Sequence, residues 1–206
     1  KLIEKIYIFV FIIGLKKVYI FYIYSNWYRR YKMFYYTWIA LQTAVFSFGL
    51  VSQYLNQDLR VLNQIGASVL LSRGAGLCLA VTNFFVILPM CKKSMSLLST
   101  YFTKLPEILQ KLHITAVYTI VFFSIIHSVS HYINFYVIDQ NKIINSTMIT
   151  IHYYTIAGIT GHIMVCSLIV ITVFSTSELL KRNYDAFITI HTFYLIYLGA
   201  SIAHGL

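Results

Sequence analysis

The chain has 206 residues, of which 59% are hydrophobic and only 11% charged, and a mean hydropathy of +0.72. A soluble domain with so few charges would not stay in solution, so this is an integral membrane protein, long enough for five or six spans of about 20 residues each. The formal charge of +10 does not indicate nucleic acid as a partner, because the basic residues sit in short stretches between apolar runs rather than along one face.

Residues 1–25 form a hydrophobic N-terminal segment that reads two ways. As a span it would put Lys16 and Lys17 near its centre, at a cost of a few kcal/mol each. As an interfacial helix it would let both lysines snorkel to water. The apolar run 6–15 resembles a signal core, but the two lysines stand where small cleavage-site residues belong, so no cleavable signal is expected. Because it starts at Lys1 rather than Met, the chain reads as an excerpt or a processed product.

A basic, aromatic border at 26–32 leads into the first confident span, about 33–54. A polar loop at 55–65 precedes a second span, about 66–90, which contains Arg73 and ends at Pro89. Pro106 and Glu107 mark the start of a third span, about 107–135, since proline suits the first turn of a helix. The loop 136–151 holds the chain's one N-glycosylation sequon, Asn145-Ser146-Thr147. The fourth span is about 152–174 and the fifth about 184–206. Many of the 18 tyrosines and 15 phenylalanines cluster near span ends, as an aromatic belt does. Cys78, Cys91 and Cys166 are scattered without a CxxC, and read as buried free thiols.

Two signals give the same orientation. From residue 26 onward, the stretches 29–32, 92–111 and 181–182 hold nine Lys and Arg, while the opposite loops hold only Arg60 and Lys142. The positive-inside rule puts loops 26–32, 92–111 and 175–183 in the cytosol and loops 55–65 and 136–151 outside, and the plasma membrane is the expected location. Asn145 then falls on the side where glycosylation occurs.

The third span carries His113, His127 and His131. Fourteen residues separate the first two, about 21 Å of rise and about 320° of rotation, so they share nearly one face near opposite leaflets. The fifth span, antiparallel to the third, carries His191 and His204. Four imidazoles thus fall at two matched depths, His113 with His191 and His127 with His204. Any one of them is as readily explained by a hydrogen bond to a carbonyl or a tyrosine. The set is explained by two stacked haems, each with an axial histidine on either side. The thirteen-residue step from His191 to His204 is about 140° short of whole turns, so that helix is expected to be distorted, with Gly199 or a π-bulge as its means, or its two rings to approach from different azimuths. His162 and His152 in the fourth span have no partner at matched depth and read as structural.

With these pieces in view, the chain resembles the membrane domain of the NADPH oxidases and dual oxidases, within the ferric reductase superfamily. The resemblance rests on LSRGAG at 71–76, the His113, His127 and His131 series, AGITG at 157–161, STSELLKRNYDAFITIH at 175–191 and AHG at 203–205. It covers nearly everything from residue 26 onward. It implies an all-α membrane fold, a five- to six-helix bundle holding two b-type haems: the inner one on His113 and His191, the outer one on His127 and His204. It also implies that Arg73 and His131 flank the site of oxygen reduction. The residues agree, since Arg73 is about 10 Å inside the outer end of its span and His131 is one turn past His127. Where many members have a His-His pair, this chain has His191-Thr192, which leaves ligation untouched and puts only local packing in doubt.

The resemblance further implies electron transfer from the cytosolic side to molecular oxygen outside, giving superoxide or hydrogen peroxide. FAD and NADPH are expected only in a C-terminal cytosolic domain beyond this chain, acting in cis or in trans, since no Gly-rich dinucleotide fingerprint is present. The partners expected are membrane lipid, oxygen, that flavin domain and an accessory membrane subunit. Two other readings keep the haems: a ferric metalloreductase, and a non-catalytic fragment that assembles with a full-length oxidase.

Overall fold

The computed structural model describes residues 32–57, 60–88, 96, 100, 105–143, 146–175 and 183–205. The expectations for residues 1–25, for Cys91 and for Asn145, and most of the cytosolic loops, lie outside these. The described fold is all-α, as expected. In chain order the helices are α1 (Lys32–Leu55), α2 (Ala67–Ile87), α3 (Leu105–Asn141), α4 (Met148–Tyr154), α5 (Ile156–Ser175), α6 (Tyr184–His191) and α7 (Phe193–His204), with a 3-10 turn at Arg60–Ile65. α1, α2, α3, α5 and the α6–α7 pair are each long and apolar enough to cross a bilayer.

By contact the chain divides into two compact units, residues 1–44 and 45–206. The described part of the first is the beginning of α1, where the Thr37 hydroxyl bonds back to the Met33 carbonyl one turn earlier, at 2.9 Å. Everything that follows lies in the second unit.

There α2 packs along α3, and α7 packs along α5. Small residues allow the close approaches. A Cβ on Gly49 would lie 2.9 Å from the Gly74 Cα, so the end of α1 and the middle of α2 touch backbone to backbone. The core around them is Ala75, Cys78 and Leu79 of α2 with Ile120 and Phe123 of α3. Large apolar side chains such as Phe84, Phe122, Val129, Ile159 and Ile202 point outward, the pattern of a surface that meets lipid. Cys78 is buried as expected, but Cys166 is exposed on α5. Its apolar neighbourhood in sequence is a lipid-facing surface, and an apolar run alone does not distinguish that from a core.

The helix ends differ from the expected spans in three places. α3 does not stop near Phe135; it runs to Asn141, 37 residues and about 55 Å, well beyond a hydrocarbon core. Lys142 then takes φ 49, and the Ile143 N–H bonds to the Ile138 carbonyl at 3.2 Å, a Schellman-type close. Asp139 holds the turn by accepting from Lys142 Nζ at 3.0 Å and from the Met148 N–H at 3.2 Å. The expected fourth span is two helices. Thr155 breaks it with extended backbone (φ −98, ψ 149). The Thr155 hydroxyl donates to the Ile151 carbonyl at 2.6 Å and accepts the Gly158 N–H at 3.0 Å, closing one helix and opening the next. Gly158 rests on the carbonyls of Ile151 and His152, where a Cβ would collide with backbone.

The third place is the distorted step in the fifth span. The distortion is at Thr192, between α6 and α7, and not at Gly199, which lies inside α7. The Leu195 N–H bonds to the Thr192 carbonyl at 2.9 Å, an overwound i to i+3 bond. Overwinding adds about 20° per residue, the direction in which the thirteen-residue step falls short. The Thr192 hydroxyl, which donates to the Thr189 carbonyl at 2.6 Å, stabilises this turn.

Candidate functional site

α3 and the α6–α7 pair present their histidines to one another at two levels. The rings of His113 and His191 are 6.2 Å apart, centroid to centroid, and those of His127 and His204 are 6.4 Å apart. The structure therefore brings together the two pairs that the spacing anticipated. A metal–imidazole bond is about 2 Å long, so two imidazoles on opposite sides of one metal ion place their centroids about 6.3 Å apart. Both pairs fit that separation.

Each of the four rings is steered through Nδ1. His113 Nδ1 lies 3.3 Å from the Val86 carbonyl, and His127 Nδ1 lies 2.9 Å from the Ser72 carbonyl. A carbonyl only accepts, so the hydrogen of both rings is on Nδ1 and the lone pair on Nε2. His204 Nδ1 is 2.9 Å from Thr160 Oγ1. The Thr160 hydroxyl hydrogen goes to the Ile156 carbonyl at 2.7 Å, so Thr160 accepts from His204 and the same tautomer results. His191 Nδ1 has the longest contact, 3.5 Å to Ser175 Oγ. A ring with Nδ1–H engaged and Nε2 free is the form that binds a metal.

Glycines make room for two of these rings. A Cβ on Gly76 would sit 3.1 Å from His127 Cε1, and one on Gly161 would sit 3.4 Å from His204 Cε1. Below His127, the Ser72 hydroxyl donates to the Val69 carbonyl at 2.9 Å and accepts from Asn134 Nδ2 at 3.3 Å, which ties α2 to α3. Between the two levels, the Tyr197 hydroxyl donates to Asn83 Oδ1 at 3.1 Å.

Among the other candidates, His131 packs edge-on against His127 at 4.4 Å, and its buried Nδ1 has no hydrogen-bond partner. Arg73 directly follows Ser72, whose carbonyl holds His127. Its side chain is exposed and makes no hydrogen bond or ion pair among the described residues. Asn145 lies outside the described residues, while Thr147 of the same sequon caps α4, its hydroxyl accepting the Thr150 N–H at 3.2 Å. Among the described residues no three His, Cys, Asp or Glu side chains gather as a metal-ion cage. The arrangement is one of facing pairs.

Sequence reasoning missed the residues that hold the rings: Ser72, Thr160 and Ser175, and the glycines at 76 and 161. For Thr160 and Ser175 the signal was present, since a hydroxyl in an apolar span at the depth of a histidine needs a partner, whereas Ser72 holds His127 through its backbone carbonyl. It also left His152 and His162 without partners. Their rings in fact lie 5.4 Å apart, with Tyr132 stacked on His152 at 4.3 Å.

Comparison with known proteins gives the family. Residues 75–201 match the family model described as "Ferric reductase like transmembrane component", a segment that includes His113, His127, His131 and His191 and stops just short of His204. The chain is similar to the dual oxidase of Drosophila melanogaster, 26% identical over 168 residues, covering 72% of this chain and 11% of that protein. It is similar to dual oxidase 1 of Caenorhabditis elegans, 28% identical over 171 residues, covering 73% of this chain and 11% of that protein. To NADPH oxidase 1 of Mus musculus it is 25% identical over 211 residues, covering 84% of this chain and 36% of that protein. The chain thus spans a small part of the dual oxidases and about a third of NADPH oxidase 1. It belongs to the ferric reductase-like transmembrane family, as a multi-pass membrane domain of the electron-transferring kind related to the NADPH and dual oxidases.

Proposed function

We propose that the chain is the membrane domain of an NADPH oxidase-type enzyme, moving electrons from the cytosolic side to molecular oxygen outside. The observation that carries this reading is the pair of facing imidazole couples at 6.2 and 6.4 Å, each ring steered through Nδ1. His113 and His191 would hold an inner b-type haem, and His127 and His204 an outer one. When bound, haem iron supplies a one-electron couple at each depth.

The protein's own residues do the rest. The Ser72 and Val86 carbonyls and the Thr160 hydroxyl fix the ligating tautomer of His127, His113 and His204, so these three rings need not reorganise to bind. Ala75, Cys78, Leu79, Ile120 and Phe123 keep water out between the two levels, which sets the low dielectric that the path requires. At the outer level, the unpartnered Nδ1 of His131 would make a hydrogen bond to oxygen, and Arg73 would supply a positive charge to a developing superoxide. Electrons reach the cytosolic level from a flavin and NADPH domain, in cis or in trans, and the product outside is superoxide or hydrogen peroxide. On this topology Asn145 is glycosylated, and the host is the plasma membrane.

A ferric metalloreductase is the second reading, favoured by the description of the matching family. One experiment tests both. The haem-loaded chain in lipid nanodiscs is reduced with dithionite without oxygen, then mixed with oxygen or with a ferric chelate. We expect a bis-histidine low-spin reduced spectrum, rapid reoxidation by oxygen, and a slowing of at least about tenfold in Arg73→Ala or His131→Ala. Absence of the spectrum refutes the haem pairs. Faster reoxidation by the ferric chelate, indifferent to both substitutions, selects the metalloreductase.

A further inference from the structure

Away from the two histidine pairs, α3, α4 and α5 assemble a second cluster of metal-binding side chains. His152, on the short α4, is only 5% exposed, and its Nε2 is buried without a hydrogen-bond partner. His162, on α5, lies 5.4 Å away ring to ring. The His162 Nδ1 meets the Gly158 carbonyl at 2.7 Å, so the hydrogen is there and Nε2 keeps its lone pair. That Nε2 lies 3.1 Å from the Tyr132 hydroxyl of α3. Tyr132 stacks on His152 at 4.3 Å and Tyr153 stacks on His162 at 5.3 Å, which restrains all three donors.

We propose that His152, His162 and Tyr132 bind one divalent transition metal ion of the zinc or copper class. The ring separation separates this site from the two facing pairs. At 5.4 Å it is too short for imidazoles on opposite sides of a metal, and it corresponds to a nitrogen–metal–nitrogen angle of about 120°, in the tetrahedral-to-trigonal range. Neighbouring donors on one metal sit about 3.3 Å apart, close to the 3.1 Å between His162 Nε2 and the Tyr132 oxygen. Two imidazoles and a phenol oxygen are donors that zinc and copper accept, and water completes the shell. On binding, Tyr132 gives its proton to water, and the buried nitrogen of His152 gains the partner it lacks. The ion ties α4 to both α3 and α5 where Asp139 already holds the intervening turn. The site shares no residue with the proposed haem ligands, so its test does not depend on them.

The test uses the haem-loaded full chain in nanodiscs with one equivalent of copper(II), read by electron paramagnetic resonance. We expect a signal with coupling to two nitrogens. His152→Ala and His162→Ala should each weaken copper binding by about 100-fold, and Tyr132→Phe by about tenfold, with the haem band unchanged. A two-nitrogen signal that persists in both histidine variants overturns the proposal. Should those variants lose the fold, the wild-type chain decides. Zinc should protect His152 and His162 from diethylpyrocarbonate, mapped by peptide mass spectrometry, and equal modification with and without zinc overturns the site.

Discussion

The two histidine pairs, His127 with His204 at the proposed outer level and His113 with His191 at the proposed inner level, have nearly equal ring separations, yet their surroundings differ. Outside, His127 and His204 each have Nδ1 at 2.9 Å from an acceptor, and glycines sit under both rings. Inside, the corresponding contacts are 3.3 and 3.5 Å, and His191 is the last residue before the break at Thr192. Ring spacing is thus set by the helices, which is why it is common to both levels. Ring orientation is set locally, by whichever carbonyl or hydroxyl is within reach, and there the two levels diverge. A tighter Nδ1–H contact makes an imidazole a stronger donor through Nε2. The outer pair is therefore built as the more rigid and more electron-donating of the two.

The largest way to break this comparison is to remove a ligand. His127→Ala or His204→Ala should cost about half of the bound haem and leave the inner site spectroscopically intact; His113→Ala or His191→Ala should do the reverse. Pyridine haemochrome quantification checks the stoichiometry. Equal loss at both levels in any one variant would mean that the pairs are not separate sites. Next comes the space under the outer rings. Gly76→Val should weaken outer haem retention by about 10–100-fold, and Gly161→Val by less, because the Cβ contact is 3.1 Å at Gly76 and 3.4 Å at Gly161. Inner-site absorbance should not change. A chain that tolerates Gly76→Val with full outer occupancy would show that His127 is not held where the structure places it.

Much of this was legible in the sequence because a membrane span is a simple ruler. Fourteen residues between His113 and His127 fix a depth difference, and an antiparallel partner with a similar step, His191 to His204, fixes the match. The azimuth was not legible. It depends on where a helix overwinds, and a threonine at 192 gives no more warning of a break than the other threonines in the spans. The break at Thr155 escaped for a related reason: the apolar run continues through it, and only its hydroxyl, bonded in both directions, reveals two helices. His152 read as the edge of a span, so its encounter with His162 and Tyr132 could not be foreseen. The glycines of LSRGAG and AGITG were visible as a likeness, but their physical reasons, backbone contact at Gly74 and Gly158 and ring clearance at Gly76 and Gly161, needed the neighbours in space.

The finest test of the comparison removes one acceptor at each level and leaves shape alone. Thr160→Val keeps the volume but deprives His204 Nδ1–H of its partner inside an apolar span, where no water replaces it. A weaker donor stabilises ferric iron less, so the outer midpoint potential should rise by some tens of millivolts, a tenfold change in relative stability being about 59 mV for one electron. Ser175→Ala removes a contact already at 3.5 Å and should move the inner potential by much less. Redox titration of the two variants in nanodiscs gives both shifts on the same scale. If Ser175→Ala shifts its level as far as Thr160→Val shifts the other, the difference in Nδ1 distances carries no electronic consequence, and the outer pair is distinguished by its glycine cradle alone.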